Sequence, residues 1–220
     1  MNNEKIAKAI VQQGVIPLYY HPDEEISIQI LQALYDAGIR VIEYTNRGKQ
    51  AMKNLRAIKK ETYKKFPDLI LGMGTLLDTK SAEKAIQNGA DFLVSPGYTR
   101  DLSKFTYNEN MLWVPGCITP TEFILAIDDG ISLVKLFPAS SVGPGFIKSN
   151  KDVFPELQFM PTGGIDAGNM ESWFRAGASV VGIGGALITP SLVEKKDWQL
   201  LRDNTSALLN QVTEIRKTFA

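Results

Sequence analysis

Short apolar runs alternate with longer amphipathic stretches along nearly the whole chain. The runs are about three to seven residues long, and there are eight of them: 15–20, 39–45, 69–73, 92–95, 112–115, 131–137, 158–160 and 179–183. Most are continuously apolar, which is typical of strands buried on both faces. Strands of this kind separated by helices indicate a parallel sheet with crossover connections.

Helix signals lie between the runs. Pro22-Asp23-Glu24-Glu25 is a helix-start signal and Asp78 is an N-cap residue, and the helices that follow end at Gly38 and Gly89. The predicted helices span about 3–13, 22–38, a Lys-rich stretch to 65, 78–89, 100–107, 119–128, 168–176 and 195–218. The segment near 143–150 stands out for its glycine and proline residues instead.

Eight strands with crossover helices predict a single (β/α)8 TIM barrel, which has an extra N-terminal helix here. No linker divides the chain, so one domain is expected over residues 1–220, a length near the lower limit for this fold. The runner-up is a doubly wound open sheet. Its usual GxGxxG motif after the first strand is absent.

Composition narrows the range of functions. The chain has 24 basic residues (Lys and Arg) and 24 acidic residues (Asp and Glu), so its formal net charge is zero. This balance gives no electrostatic reason to expect a nucleic-acid or membrane partner. No signal-peptide pattern or span of about 20 apolar residues is present, and a cytoplasmic protein is expected. Cys117 is the only cysteine and His21 the only histidine. These counts exclude an internal disulfide and most Ser-His, Cys-His and His-rich zinc sites.

Two charged residues interrupt apolar strands. Lys135 shares a strand face with Leu133 and Phe137, and Glu43 lies among Val, Ile and Tyr. A rim lysine that reaches water, or a glutamate paired with a nearby arginine, would be purely structural. Burial of a charge without a role is costly, however, and an amine beside a proton-transfer group is the minimum for Schiff-base chemistry.

Glycines follow three of the predicted strands, in GMGT (72–75), PTGG (161–164) and GIGGAL (182–187). Tight turns alone would explain any one of them. Glycines after the seventh and eighth strands are placed as the phosphate site of a TIM barrel requires.

Seven segments together resemble one family. They are TNR (45–47), GMGT (72–75), SPG (95–97), PGCITPTE (115–122), KLFPA (135–139), PTGGI (161–165) and GIGGAL (182–187). In this order, from about residue 5 to 190, the chain resembles the 2-keto-3-deoxy-6-phosphogluconate (KDPG) and 4-hydroxy-2-oxoglutarate (KHG) aldolases. The resemblance implies a metal-free class I aldolase on a (β/α)8 barrel, usually a homotrimer. Such an enzyme cleaves a small-molecule 2-keto acid to pyruvate and an aldehyde.

The resemblance also implies roles for individual residues. Lys135 would form the Schiff base with the substrate ketone, and Glu43 would shuttle protons. Arg47 and Thr75 would hold the substrate carboxylate. The remaining substrate-binding residues would be Pro96 and Phe137 around the pyruvyl group, Thr162 near the carboxylate or ketone, and Gly163, Gly164, Gly184 and Gly185 at the phosphate end.

Two positions depart from the family. Tyr20 stands where many members carry an arginine, and Ala186 where many carry a serine that faces the phosphate. A phosphorylated sugar acid of another stereochemistry, or a non-phosphorylated 2-keto acid, is therefore also a candidate substrate. Two further alternatives are a related Schiff-base lyase or dehydratase and a non-catalytic, anion-binding barrel. Cys117, without a histidine partner, is expected to be a small filler and not a nucleophile.

Overall fold

The structure is a computed structural model in which residues 2–218 are described. Nine strands lie within that range: β1 (Val15–Tyr19), β2 (Val41–Thr45), β3 (Ile70–Gly74), β4 (Phe92–Val94), β5 (Trp113–Val114), β6 (Gly116–Cys117), β7 (Leu133–Leu136), β8 (Gln158–Pro161) and β9 (Val181–Ile183). The first and last residues of the predicted domain, 1 and 219–220, lie outside the described part of the chain.

Helices connect the strands, and a 3-10 turn spans Ala139–Ser141. The α-helices are α1 (Asn3–Gln13), α2 (Glu24–Asp36), α3 (Ala51–Lys65), α4 (Thr79–Gln87), α5 (Arg100–Asn108), α6 (Pro120–Asp128), α7 (Pro144–Lys151), α8 (Met170–Arg175), α9 (Pro190–Glu194) and α10 (Trp198–Lys217). No helix in residues 2–218 is both long and apolar enough to cross a membrane.

Local signals in the sequence explain where several helices begin. The carboxylate of Asp23 accepts a hydrogen bond from the backbone N–H of Ile26 at the start of α2. Thr119 and Glu122 form a reciprocal capping box around the first turn of α6, and Pro120 occupies its first position. Proline suits that position because its missing N–H would have no partner there.

All strand pairs are parallel. Six strands form one sheet in the order β5-β4-β3-β2-β1-β9, and three form another in the order β6-β7-β8. A bridge between Thr162 and Gly182 joins the ends of β8 and β9. The chain passes from one sheet to the other at Pro115, whose carbonyl accepts a hydrogen bond from the backbone N–H of Lys135 at 2.8 Å.

Two apolar clusters lie on opposite faces of the strands. The larger one fills the space between strands and helices. The smaller one contains strand residues, most of them at or near the beginnings of their strands, together with Ile6 and Ile10 of α1. Both sheets contribute to it: its other members are Ile16, Val41, Ile70, Phe92, Val94, Val114, Leu133, Met160 and Val180. The extra N-terminal helix therefore covers the end of the molecule where the strands begin.

Several details differ from the predicted elements, among them the unpredicted short helix α9. The fifth predicted strand, 112–115, is shortened to β5, and an unpredicted strand β6 follows Pro115, which lacks a backbone N–H for a strand ladder. The segment near 143–150 forms α7, which begins at Pro144 directly after Gly143 with φ of 76°. The final helix starts later than predicted, at Trp198, because Lys196 is left-handed (φ 52°) and Asp197 caps α10.

Candidate active site

Lys135 and Glu43 meet as a buried pair. Lys135 lies on β7 and Glu43 on β2, and only 5% and 1% of their surfaces are exposed. The lysine Nζ is 3.2 Å from Glu43 Oε1 and 3.3 Å from Oε2. A buried ion pair can survive because each charge offsets the desolvation of the other. Transfer of one proton to the carboxylate leaves a neutral amine, which is a nucleophile.

Phe137 lies beside this pair, and Thr162 follows the neighbouring strand β8. The Phe137 ring centroid is 5.5 Å from Lys135 Nζ, and the ring is half-buried. The loop after β7 is tied to the end of β8, because Ala139 donates its backbone N–H to the Thr162 carbonyl at 2.9 Å. Thr162 is 3% exposed, and a methyl group at Gly182 would lie 2.3 Å from its hydroxyl oxygen.

Pro96 follows β4 and is half-buried. In space, Gly116 lies between Pro96 and the lysine, because Gly116 pairs with Lys135 in the β6–β7 register. A side chain at Gly116 would come within 2.1 Å of the Pro96 carbonyl oxygen. Glycine at this position therefore lets the β4 loop approach the strand that carries the lysine.

Thr75 follows β3 in a strained conformation. Its φ is 61°, in the left-handed region that β-branched residues strongly disfavour. Strained residues of this kind cluster at functional sites, where the surrounding structure holds them in place. The strain is thus an independent sign that Thr75 belongs to a site.

Arg47 lies at the carboxyl end of β2 and is exposed. With Tyr20 and Gly185 it lines a cavity of about 320 Å³ that also reaches Leu18 and Glu194. No carboxylate in residues 2–218 forms an ion pair with Arg47. Its guanidinium therefore borders the cavity without an ion-pair partner among these residues.

The glycines of the loops after β8 and β9 form the remaining part of the candidate site. Gly163 and Gly164 have left-handed φ values of 95° and 79°, which glycine adopts without strain. Gly184 accepts hydrogen bonds from the backbone N–H groups of Leu187 and Ile188. Gly185 has open space where a side chain would be, and next to it Ala186 is exposed. All four glycines follow the carboxyl ends of β8 and β9.

Cys117 lies on β6, one residue past the glycine that pairs with Lys135. Its side chain is buried, and burial raises the pKa of the thiol to about 12. A thiol in this state is protonated and unreactive at neutral pH. This supports a packing role for Cys117.

Among residues 2–218, no three His, Cys, Asp or Glu side chains are grouped so that they could hold a metal ion. One further residue contacts the buried pair. Gly74, the last residue of β3, contacts the Glu43 side chain across the sheet. The sequence singled out GMGT (72–75) as a strand end, as part of the family resemblance and for Thr75, but it gave Gly74 itself no role.

Comparisons with known proteins agree with the geometry. The profile of the family described as KDPG and KHG aldolase matches residues 6–203. A 2-dehydro-3-deoxy-phosphogluconate aldolase from Pseudomonas aeruginosa is 30% identical over 205 residues, which cover 92% of this chain and 91% of the relative. The KHG/KDPG aldolase of Escherichia coli K12 is 33% identical over 187 residues, covering 84% and 85% of the two chains.

A solved structure is also similar. The crystal structure of a KDPG aldolase from Legionella pneumophila, with pyruvate captured as a covalent carbinolamine intermediate, superimposes with a TM-score of 0.85. The two proteins are 28% identical, and the match covers 91% of this chain and 96% of the other. The chain therefore belongs to the KDPG and KHG aldolase family.

Proposed function

We propose that this protein is a class I aldolase that cleaves a 2-keto acid to pyruvate and an aldehyde. The substrate is a 2-keto-3-deoxy-6-phospho sugar acid such as KDPG, or 4-hydroxy-2-oxoglutarate. The second product is then glyceraldehyde 3-phosphate or glyoxylate. The observation that carries this proposal is the buried contact between Lys135 and Glu43, 3.2 Å long.

The pair supplies what the reaction needs. The neutral Lys135 amine adds to the C2 ketone, and protons delivered through Glu43 convert the oxygen to a carbinolamine hydroxyl and then to departing water. The resulting iminium accepts the electron pair of the C3–C4 bond as Glu43 takes the proton of the C4 hydroxyl. The aldehyde leaves, C3 of the enamine is protonated, and water releases pyruvate from the lysine. The iminium is the electron sink, so these steps require no metal.

The neighbouring residues would hold the pyruvyl half. Arg47 and Thr75 would bind the carboxylate, the arginine through charge-assisted hydrogen bonds. Phe137 and Pro96 would pack on either side of the three-carbon unit. Thr162 would hydrogen-bond near the carboxylate or the ketone. The covalent pyruvate carbinolamine in the Legionella relative supports the Schiff-base chemistry at the centre of this arrangement.

The far end of the substrate would lie at the glycine loops after β8 and β9. The backbone N–H groups of Gly163, Gly164, Gly184 and Gly185 would bind a phosphate. At this end, Tyr20 provides no positive charge and Ala186 provides no serine hydroxyl. That observation keeps a non-phosphorylated 2-keto-3-deoxy sugar acid as the second candidate substrate.

We further propose that the two sheets close into one (β/α)8 barrel and that the chain is a single domain. Three observations support closure. The Thr162–Gly182 bridge joins one pair of sheet ends. The other pair is joined through Pro115, whose carbonyl binds the backbone N–H of Lys135. In addition, one apolar cluster draws residues from both sheets.

The resemblance to the family supports a homotrimer. We also propose that the enzyme is cytoplasmic.

Borohydride trapping tests the mechanism. Incubation with pyruvate and sodium borohydride should give a reduced pyruvyl adduct on Lys135, located by peptide mass spectrometry. Lys135→Ala should lose both the adduct and aldol cleavage. Glu109→Ala, at an exposed carboxylate outside the site, should retain them. Full cleavage by Lys135→Ala would refute the mechanism.

A substrate panel then separates the alternatives. Release of pyruvate from KDPG, from its non-phosphorylated counterpart or from 4-hydroxy-2-oxoglutarate identifies the aldolase substrate. Consumption of a sugar acid without pyruvate release would indicate a dehydratase or another lyase. Binding of the acid without any turnover would indicate a non-catalytic barrel.

A further inference from the structure

The end of β3 makes an unusually close approach to the Glu43 side chain. Gly74 pairs with Thr45 in the β2–β3 register, two residues along β2 from Glu43. A Cβ atom at Gly74 would lie 1.8 Å from Glu43 Oε1, 2.5 Å from Cδ and 2.7 Å from Cγ. The carboxyl group of Glu43 thus occupies the volume that any side chain at position 74 would need.

The backbone at Gly74 does not itself require glycine. Glycines with left-handed φ occur at eight positions in the described chain, and Gly74 is not one of them. An alanine would therefore be allowed by the local backbone conformation. What excludes it is the Glu43 carboxyl group, so the constraint on this position comes from the neighbouring strand.

The Glu43 side chain has little freedom to move aside while keeping its contact. It is 1% exposed, and both carboxylate oxygens lie within 3.3 Å of Lys135 Nζ. Gly74 is also fixed, since its carbonyl accepts the backbone N–H of Asn46 at 2.8 Å. A methyl group at position 74 would force the carboxylate away from the lysine amine.

We propose that Gly74 is a positioning residue, whose missing side chain provides the space that holds the Glu43 carboxylate against Lys135. The proposal rests on the proposed aldolase function for its effect on rate. The steric coupling between positions 74 and 43 does not depend on that function and is measurable by itself.

A double-mutant cycle tests the coupling. Gly74→Ala should lower kcat for aldol cleavage by about a hundredfold or more, because the proton-transfer group is displaced. In the Glu43→Ala background the clash is absent, so adding Gly74→Ala should change kcat by no more than about twofold. Melting temperature should follow the same pattern: Gly74→Ala lowers it in the wild type and leaves it nearly unchanged in Glu43→Ala.

Gly72→Ala is the matched control, on the same strand two residues earlier. Gly72 also neighbours Glu43 in the β2–β3 register, but the three atoms nearest to a Cβ at this position all belong to the Phe92 ring, the closest at 2.2 Å. Its effects on rate and melting temperature should be about the same in the wild-type and Glu43→Ala backgrounds.

The outcomes are distinct. If Gly74→Ala slows or destabilises the Glu43→Ala protein as strongly as the wild type, the proposal is wrong. If Gly74→Ala alone fails to fold but the double variant melts like Glu43→Ala, the coupling is confirmed through stability. Failure of both to fold would mean that Gly74 is needed for packing regardless of Glu43, and would overturn the proposal. Borohydride trapping on the wild type separately reports whether the aldolase mechanism holds.

Discussion

At the scale of single residues, two charges in apolar strands are enough to locate the centre of the site. A charge buried alone would cost several kcal/mol, so a lysine and a glutamate that interrupt buried strands are expected to meet. The structure brings Lys135 and Glu43 together although 92 positions separate them in the chain. Gly74 could not be found in this way, because a missing side chain has no pattern of its own in a sequence.

The packing role of Cys117 can be tested by the reactivity of its thiol. Its buried thiol, with a pKa raised to about 12, should react with iodoacetamide at pH 8 about a hundredfold or more slowly than in the urea-unfolded protein. Mass spectrometry of timed samples measures both rates. Rapid alkylation of the native protein would show that the thiol is accessible and ionised, against a packing role.

At the scale of helices and strands, periodicity and capping residues predicted most elements. The predicted helix over 3–13 has those ends in the structure, with Asn2 and Gly14 as its caps. The structure differs from the prediction where contacts with neighbouring strands and helices determine the local conformation. The β5–β6 division at Pro115 and the short helix α7 depend on how the chain fits between adjacent strands and helices. A window of sequence contains no information about that fit.

Helix α1 makes a testable contribution to stability. Ile10 is fully buried in the smaller of the two apolar clusters. Ile10→Ala should lower the free energy of unfolding by about 2–5 kcal/mol, through lost burial and the cavity that remains. Urea denaturation measures this change. The KM for the substrate should stay near the wild-type value, because α1 covers the end of the strands opposite the site.

Lys8→Ala is the control for Ile10→Ala. Lys8 is exposed on the same helix, and its replacement keeps helix propensity high. It should change the free energy of unfolding by no more than about 0.5 kcal/mol. An equal loss in the two variants would show that Ile10 does not pack beneath the strands as described.

At the scale of the whole molecule, the site exists only because distant loops converge. Lys135, Glu43, Thr75 and Thr162 come from four different strands or strand ends. Parallel strands place all their carboxyl ends at one edge, so polar residues at strand ends gather there. This rule predicted the grouping, while the distances and the exposure of each group follow from packing.

The proposed homotrimer can be tested by measuring the mass of the protein in solution. One chain has a mass of 24.3 kDa, and a homotrimer should give about three times that value by light scattering coupled to size-exclusion chromatography. The mass should remain constant on dilution through the micromolar range. A constant value of one chain would contradict the trimer.

Sequence patterns were sufficient to predict an α/β fold with a parallel sheet, the positions of most elements and the two residues that we propose at the centre of the chemistry. Periodicity, helix caps and buried charges are local properties, and each can be read from a short stretch of chain. The tertiary structure alone decided the 3.2 Å contact between Lys135 and Glu43, the strained Thr75 and the space that Gly74 leaves for a carboxylate. These features depend on strand register and close packing, in which each side chain takes the volume that its neighbours leave free.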